Sequence, residues 1–263
     1  MGFLGPEGSW THEAALTLQE DHELLVALPA DELFRAYSQG SVTRICIPYH
    51  SSLVGLTPYF DQVTALARWW IERDYRRPIE HSLVALEPID LQRVEVVLGH
   101  PVALAEVAPW LERHLGHAQL QSVASGGQAI ETLRQIGQKS CVAVAPAPAS
   151  RAPDLTLLLP RIPTHGPNVT SWWILGARSD MDASRSDQSL WWLVRSDQHV
   201  LASVEMQLIA LGCASVEVFK QSAHGMGAKS DAVFKAPSAL TAEVTRIFGR
   251  HHLEFGLVGA SPS

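Results

Sequence analysis

The sequence predicts an α/β protein made of two parts. Short apolar segments typical of buried strands alternate with helical periodicity from residue 1 to about residue 178, which is typical of an α/β architecture with parallel strands. A polar segment poor in large apolar residues, 177–188, then separates this region from a second one. Residues 188–263 show the order strand, helix, strand, strand, helix, strand.

The first region begins with a strand at residues 1–5, followed by a glycine-rich turn and a helix. Ser9 and Thr11 are candidate N-caps, so free backbone N–H groups at this helix start can meet an anion. A second strand is predicted at residues 42–48, where Pro48 ends it. Polar residues follow directly, at the place where ligands usually lie in an α/β layer.

The next elements repeat the alternation. A helix is predicted at residues 57–72 and a polar connection at 73–78. Further strands are expected at 79–86, 94–98, 119–123, 140–145, 155–159 and 171–175, with helices at 103–114 and 127–136.

The second region repeats neither the length nor the order of the first. Its strands are expected at 190–195, 214–220, 231–235 and 253–259, and its helices at 200–211 and 240–250. This βαββαβ order is the split-βαβ, ferredoxin-like arrangement.

Composition excludes several classes of function. The formal net charge is −7 and the lysines and arginines are scattered, so no basic face for nucleic acid is expected. The apolar stretches are too short for a membrane helix. Cys46, Cys141 and Cys213 lie in apolar runs without metal-ligand spacing, and no secretory segment precedes them, which predicts structural thiols in a cytoplasmic protein.

Several motifs resemble those of one enzyme family. Residues 5–15 (GPEGSWTHEAA) resemble the G-P-x-G-[ST]-[FY]-[ST]-x-x-A-A opening of prephenate dehydratases, and residues 47–55 (IPYHSSLVG) stand in place of the V-P-I-E-N-S-x-x-G motif. In the same order, weaker resemblances follow at residues 79–83, 99–105, 125–130, 143–149 and 257–262.

This resemblance implies an architecture and a substrate. Residues 1–178 are expected to form a two-lobed, periplasmic-binding-protein-like catalytic region, with lobe one at about 1–76 and 158–178 and lobe two at about 77–157. Prephenate is the implied small-molecule substrate, and no metal or organic cofactor is implied. Residues 188–263 are expected to form an ACT-like domain that pairs two copies in a homodimer. Its family segments for phenylalanine binding are replaced, so feedback by phenylalanine is not expected.

The chain differs from the family motifs at the residues to which the family assigns catalysis and substrate binding. Dehydratases carry N-x-T-R-F, where the threonine assists loss of the ring hydroxyl and the arginine holds a substrate carboxylate; here Thr170 is kept but Ser171 and Trp172 follow. A bidentate charge-assisted contact is thereby lost. At the second motif Glu-Asn has become His50-Ser51, which introduces a group that can donate a proton near neutral pH.

These replacements resemble the prephenate decarboxylase branch, which has a Ser-Trp pair at this place and keeps the ring hydroxyl. Prephenate decarboxylation is therefore the preferred prediction, prephenate dehydration is the alternative, and a catalytically inactive ligand-binding relative is the third possibility. The predicted catalytic residues are His50, Thr170 and Ser171. The predicted substrate-binding residues are Glu7, Gly8, Ser9, Trp10, Ser51, Ser52, Ser125, Asn168 and Trp172.

Each residue also has a structural alternative. Ser9 can be a simple helix cap. His50 can be a surface or packing histidine. His81 and His100 are expected to make structural hydrogen bonds at strand ends.

Overall fold

A computed structural model describes residues 1–147, 150, 152–176, 188–211, 217–220 and 230–262. The chain divides into two compact units. Unit 1 contains Met1–Val42, Cys46–Thr57 and Tyr75–Trp172, and unit 2 contains Thr43–Ile45, Pro58–Asp74 and Trp173–Ser263. Residues 177–187 of the predicted segment 177–188, Cys213 and residues 148–149 lie outside the described residues, and Gln188 begins a strand.

The first elements in chain order are β1 (Gly2–Leu4), α1 (Trp10–Leu18), β2 (Val26–Leu28), α2 (Ala30–Ser38), β3 (Ile45–Ser51), β4 (Gly55–Leu56), α3 (Tyr59–Thr64) and β5 (Trp70–Pro78). They are followed by β6 (His81–Ala85), β7 (Val96–Gly99), α4 (Pro101–Glu106), α5 (Ala108–Leu115), β8 (Gln119–Ser122), α6 (Gly126–Ile136), β9 (Cys141–Pro146), β10 (Thr156–Leu159) and β11 (Val169–Gly176).

Unit 1 contains strands of two sheets, and both mix strand directions. In one, the neighbours run β5-β11-β3-β1-β2, with β1 parallel to β2 and the short strand β4 antiparallel to β3. In the other, the order is β10-β6-β9-β7-β8, where β7 is parallel to β8 and β9 while β6 is antiparallel to β9 and β10. The α/β class is as predicted, although the strands are not all parallel.

The five-stranded sheet of unit 1 is buried on both faces. Alternate residues of β9 face two different hydrophobic clusters: Val142 and Val144 pack with the residues of α4 and α5, whereas Ala143 and Ala145 pack with those of α6. A strand covered on both faces has a continuous apolar sequence, and this pattern predicted the strand that the structure shows as β9.

Unit 2 contains β12 (Gln188–Ser196), α7 (Gln198–Ala210), β13 (Glu217–Lys220), β14 (Ser230–Pro237), α8 (Thr241–Arg250) and β15 (Glu254–Pro262). The strands are antiparallel in the order β13-β14-β12-β15. Leu190, Trp192 and Val194 alternate along β12 and pack in one cluster with residues of both helices. The predicted βαββαβ order is confirmed, and this strand order is that of a ferredoxin-like fold.

The predicted helix at residues 57–72 is largely wrong. Only Tyr59–Thr64 is helical, and β5 begins at Trp70 and includes the predicted polar connection 73–78. Aromatic residues spaced like a helix face misled the prediction: Trp70 packs in the core of unit 2 from a strand. Aromatic residues also favour strands.

Two smaller predictions need correction. Strand β3 continues past Pro48 to Ser51, so His50 and Ser51 lie within the strand and not after it. The predicted helix at 103–114 is interrupted at Val107, and Pro109 stands in the first turn of α5, where a residue without an N–H group is tolerated.

Among the described residues, no helix combines the length and the apolar character needed to cross a membrane.

Candidate active site

A buried carboxylate is the centre of a polar cluster in unit 1. Glu106, the last residue of α4, accepts a hydrogen bond on Oε1 from Ser51 Oγ at 2.6 Å and on Oε2 from Asn168 Nδ2 at 2.9 Å. The Nε2 atom of His81 lies 2.7 Å from the same Oε2. Only 1% of the Glu106 side chain and 5% of the His81 side chain are exposed. We call Ser51, His81, Glu106 and Asn168 the carboxylate cluster.

The cluster keeps Glu106 ionised. Burial alone raises the pKa of this carboxyl, but the hydrogen bond and charge of His81, together with the hydrogen bonds from Ser51 and Asn168, outweigh burial and lower the pKa below its usual 4.5. A carboxyl with such a pKa carries a negative charge at neutral pH and cannot act there as a proton donor.

His100 lies close to the cluster and caps helix α4. Its Nδ1 atom accepts a hydrogen bond from the backbone N–H of Val102 at 3.3 Å. Burial lowers the pKa of His100, the charge of His81 lowers it further, and the charge of Glu106 opposes both. His100 is therefore neutral at pH 7, as the capping role requires, and its predicted structural hydrogen bond is confirmed.

Two atoms of the carboxylate cluster still have hydrogen-bonding capacity. His81 Nδ1 and Asn168 Oδ1 are buried and make no hydrogen bond to any residue that the structure describes. Because buried polar atoms are usually paired, these two are the points at which the cluster can contact a ligand.

The residues after Asn168 form the edge of this site on strand β11. The backbone N–H of Ile79 donates to the Asn168 carbonyl at 2.9 Å, and the rings of Tyr75 and Trp172 lie 6.0 Å apart. Strands β5 and β11 are neighbours, and these two pairs fit an antiparallel register, with Thr170 opposite residue 77. Side chains alternate along a strand, so Asn168, Thr170 and Trp172 share one face, which we call the Thr170 face.

The start of helix α1 meets the same face. Trp172 Nε1 donates to Thr11 Oγ1 at 3.2 Å, and both side chains are buried. The Arg77 guanidinium lies over the Trp10 ring, 5.1 Å from its centroid. The first motif, strand β11 and the carboxylate cluster are thus joined in unit 1.

The glycine-rich turn satisfies much of its own hydrogen bonding. Ser9 caps α1 by accepting from the His12 N–H at 3.2 Å, and the Gly8 N–H donates to His12 Nδ1 at 3.0 Å. Glu7 is exposed. Ser125 caps α6 by accepting from Gln128 N at 3.0 Å. These predicted anion-binding groups therefore have structural partners, while their role in substrate binding stays a prediction.

The alternation of side chains along β3 and β11 turns His50 and Ser171 away from the Thr170 face, whereas Ser52 follows the end of β3. His50 precedes Ser51 in β3, so the two side chains point to opposite faces. Ser171 follows Thr170 and is buried, on the opposite face of β11. Ser52 instead ties two segments together, because its Oγ donates to the Pro167 carbonyl at 2.7 Å and accepts from Val169 N at 2.9 Å.

The sequence motifs did not indicate Glu106 as a site residue. A signal existed, because Glu106 stands in an otherwise apolar helical segment, three residues after Ala103, which is buried. An acid on the buried face of a helix requires partners. Within the described part of the chain, no group of three or more His, Cys, Asp or Glu side chains could hold a metal ion.

Comparison with known proteins identifies the family. The prephenate dehydratase family model matches residues 1–180. The prephenate dehydratase of Lactococcus lactis subsp. lactis (strain IL1403) is 25% identical over 177 residues, which are 67% of this chain and 63% of that relative, so the match spans less than two thirds of the relative.

Two solved structures resemble the whole chain in fold. One is a prephenate dehydratase from Arthrobacter aurescens in complex with L-Phe, with a TM-score of 0.75 at 17% identity, covering 100% of this chain and 89% of that one. The other is GqqA, a quorum quenching acylase, with a TM-score of 0.73 at 18% identity, covering 100% and 96%. At such identities the likeness concerns the fold alone. With a family model matching residues 1–180, this chain belongs to the prephenate dehydratase family.

Proposed function

We propose that the protein decarboxylates prephenate and leaves the ring hydroxyl in place. One observation carries the proposal: the buried carboxyl next to the Thr170 face, Glu106, is ionised by its partners. Expulsion of the hydroxyl as water needs a proton donor at that oxygen. The ionised Glu106 carboxylate does not provide one, which leaves Thr170 as the group on this face that would assist dehydration.

The two reactions differ in the fate of one electron pair. Both break the bond between the ring and its carboxylate and release carbon dioxide. In dehydration, the electron pair moves through the ring and expels the protonated hydroxyl, which gives an aromatic product. In decarboxylation, a ring carbon takes up a proton, and the product is a dihydro-hydroxyphenylpyruvate that keeps the hydroxyl.

The proton donor is proposed from the geometry of the cluster. His81 Nε2 is held by Glu106, so Nδ1 is the ring atom that can exchange a proton with a ligand. His50 was the donor predicted from the sequence, but it lies on the opposite face of β3 from Ser51. His81 is therefore our first candidate, and His50 is the alternative.

Dehydration is the second candidate. Thr170 is retained and buried on the same strand face as Asn168, and it is the residue that assists loss of the hydroxyl in the family motif. The similar Lactococcus protein is also named a prephenate dehydratase. Under the third reading, a ligand-binding relative without activity, prephenate would bind and not be consumed.

Product analysis separates the three candidates. The purified protein is incubated with prephenate, and the product is followed by ultraviolet absorption and mass spectrometry. Decarboxylation gives a non-aromatic keto acid that retains the hydroxyl oxygen, whereas dehydration gives phenylpyruvate. Consumption no faster than the spontaneous decay of prephenate would support the inactive relative.

We also propose that residues 188–263 act as an ACT-like domain that pairs two copies of the chain in the cytoplasm. The ferredoxin-like strand order supports the domain type, and the buried thiols of Cys46 and Cys141 suit a reducing compartment. Light scattering after gel filtration tests the pairing: the predicted mass is twice that of the chain, and a single chain mass contradicts it. The predicted lobe boundaries stay a proposal.

A further inference from the structure

We propose that Arg77 binds a carboxylate of the substrate opposite Thr170, with the indole N–H of Trp10 as a second donor. This inference deepens the proposed function and rests on it for the identity of the ligand. Arg77 would replace, from the neighbouring strand, the cation that the family motif places at position 171.

The need for a local cation follows from charge. The protein carries a formal net charge of −7 and prephenate carries two carboxylates, so the overall field of the protein repels the substrate. Glu106 adds a buried negative charge near the Thr170 face. Ser171 offers only a hydroxyl, and it points to the other face of β11.

The register of the strands places Arg77 beside Thr170. The pairs Ile79 with Asn168 and Tyr75 with Trp172 fit an antiparallel alignment, from which we infer that residues 77 and 170 are opposite each other. Their Cβ atoms are then about 4.5–5.5 Å apart on the same face. A guanidinium at that position can bind one oxygen of a substrate carboxylate while the other oxygen contacts Thr170.

The guanidinium is only weakly engaged by the protein. Its NH1 atom lies 3.9 Å from Glu13 Oε2, with 37% of the arginine side chain and 34% of the glutamate side chain exposed. Such an exposed, long ion pair contributes little to stability. By contrast, Arg134 contacts both carboxylate oxygens of Asp154, at 2.7 and 2.9 Å. Arg77 is thus free to exchange Glu13 for a ligand.

Trp10 provides both orientation and a donor. Its ring supports the guanidinium at 5.1 Å, which leaves the planar fork of N–H groups available for a carboxylate. Its Nε1 atom is buried and has no hydrogen-bond partner among the described residues. A bound anion would accept a hydrogen bond from this buried N–H group and pair with the neighbouring guanidinium.

The test measures the dissociation constant of prephenate by titration calorimetry at low temperature, alongside turnover. Arg77→Gln should weaken prephenate binding about 10- to 100-fold, the loss expected for a charge-assisted hydrogen bond. Arg77→Lys should recover part of the affinity, because the charge remains without the bidentate geometry. Trp10→Phe keeps the ring and removes the N–H, and it should weaken binding about 5-fold.

Two further variants distinguish ligand binding from a structural role. Glu13→Gln removes the competing carboxylate and should tighten binding about 2- to 5-fold, a gain that no loss of packing can produce. Arg76→Gln is the matched control, because Arg76 is exposed on the opposite face of β5, and its affinity should equal that of the natural protein.

The outcomes separate this inference from the proposed reaction. Weakened binding in Arg77→Gln and tightened binding in Glu13→Gln support the inference whichever product is formed. Equal affinity in Arg77→Gln and the natural protein overturns it, even if the product is the decarboxylated acid. Absence of prephenate binding by the natural protein overturns it as well.

Discussion

Replacing Glu106 by leucine should destabilise the protein far more than replacing it by glutamine. Leucine fills a similar volume but accepts no hydrogen bond, so the donors of Ser51, His81 and Asn168 lose their common acceptor. Glutamine retains an acceptor: its carbonyl oxygen can serve His81 and Asn168 while its NH₂ group donates to the Ser51 hydroxyl.

The magnitude follows from the number of donors left without a partner. The Ser51 hydroxyl can rotate, which leaves the N–H groups of His81 and Asn168 buried and unpaired. Removal of one member of a buried charged cluster costs about 3–5 kcal/mol of unfolding free energy. For glutamine, charge-assisted bonds become neutral bonds of about half the strength, at a cost of about 1 kcal/mol.

The pH dependence gives a second signature. The pKa of Glu106 is lowered in the folded protein, so its ionised form stabilises the fold above the usual carboxyl pKa of 4.5, and that stabilisation is lost as the pH falls through the folded pKa. The difference in unfolding free energy between the natural protein and Glu106→Gln should decrease below about pH 4.5.

Urea unfolding followed by tryptophan fluorescence measures both quantities. The reasoning is refuted if Glu106→Leu loses less than about 1 kcal/mol, or if the glutamine and leucine variants lose the same amount. A difference between the natural protein and Glu106→Gln that does not change with pH would contradict the ionised state of the carboxyl.

Four other variants test the site and the turn beside it. Thr170→Val, which removes only the hydroxyl, should lower kcat about 10- to 100-fold at an unchanged melting temperature, and an unchanged kcat would exclude a contact to the reacting group. His81→Gln should lower turnover about 100-fold or more and His50→Gln by less than about 3-fold, whereas the reverse order in steady-state assays would make His50 the donor. Gly127→Ala should lower the unfolding free energy by about 1–3 kcal/mol in urea unfolding, because its new Cβ would lie 2.7 Å from Pro6 Cγ. An unchanged unfolding free energy would contradict the tight contact between the first turn of α6 and the glycine-rich turn.

Local patterns were sufficient for much of the fold. The cap Ser9 was recognisable as a polar residue at a helix start, and the βαββαβ order of unit 2 followed from apolar periodicity. The failures have local causes. Trp70 fits a helical spacing while it lies in a strand, and Pro48 stands inside a strand that it was expected to end.

The candidate site was less predictable, because it depends on contacts distant in sequence. Glu106 lies 55 residues from Ser51, 25 from His81 and 62 from Asn168, and no periodicity relates them. Motif resemblance identified Ser51, Asn168 and Thr170. It did not indicate the carboxylate that joins the first two, nor the alternation that separates His50 and Ser171 from the Thr170 face.

The mass of the product formed from prephenate is the most direct test of the proposed chemistry. Purified protein and prephenate are mixed, and the keto acid is analysed by mass spectrometry against a reaction without protein. We predict a product that has lost carbon dioxide and kept the hydroxyl oxygen, heavier than phenylpyruvate by one water molecule. Phenylpyruvate as the sole enzymatic product would contradict decarboxylation and establish the protein as a dehydratase.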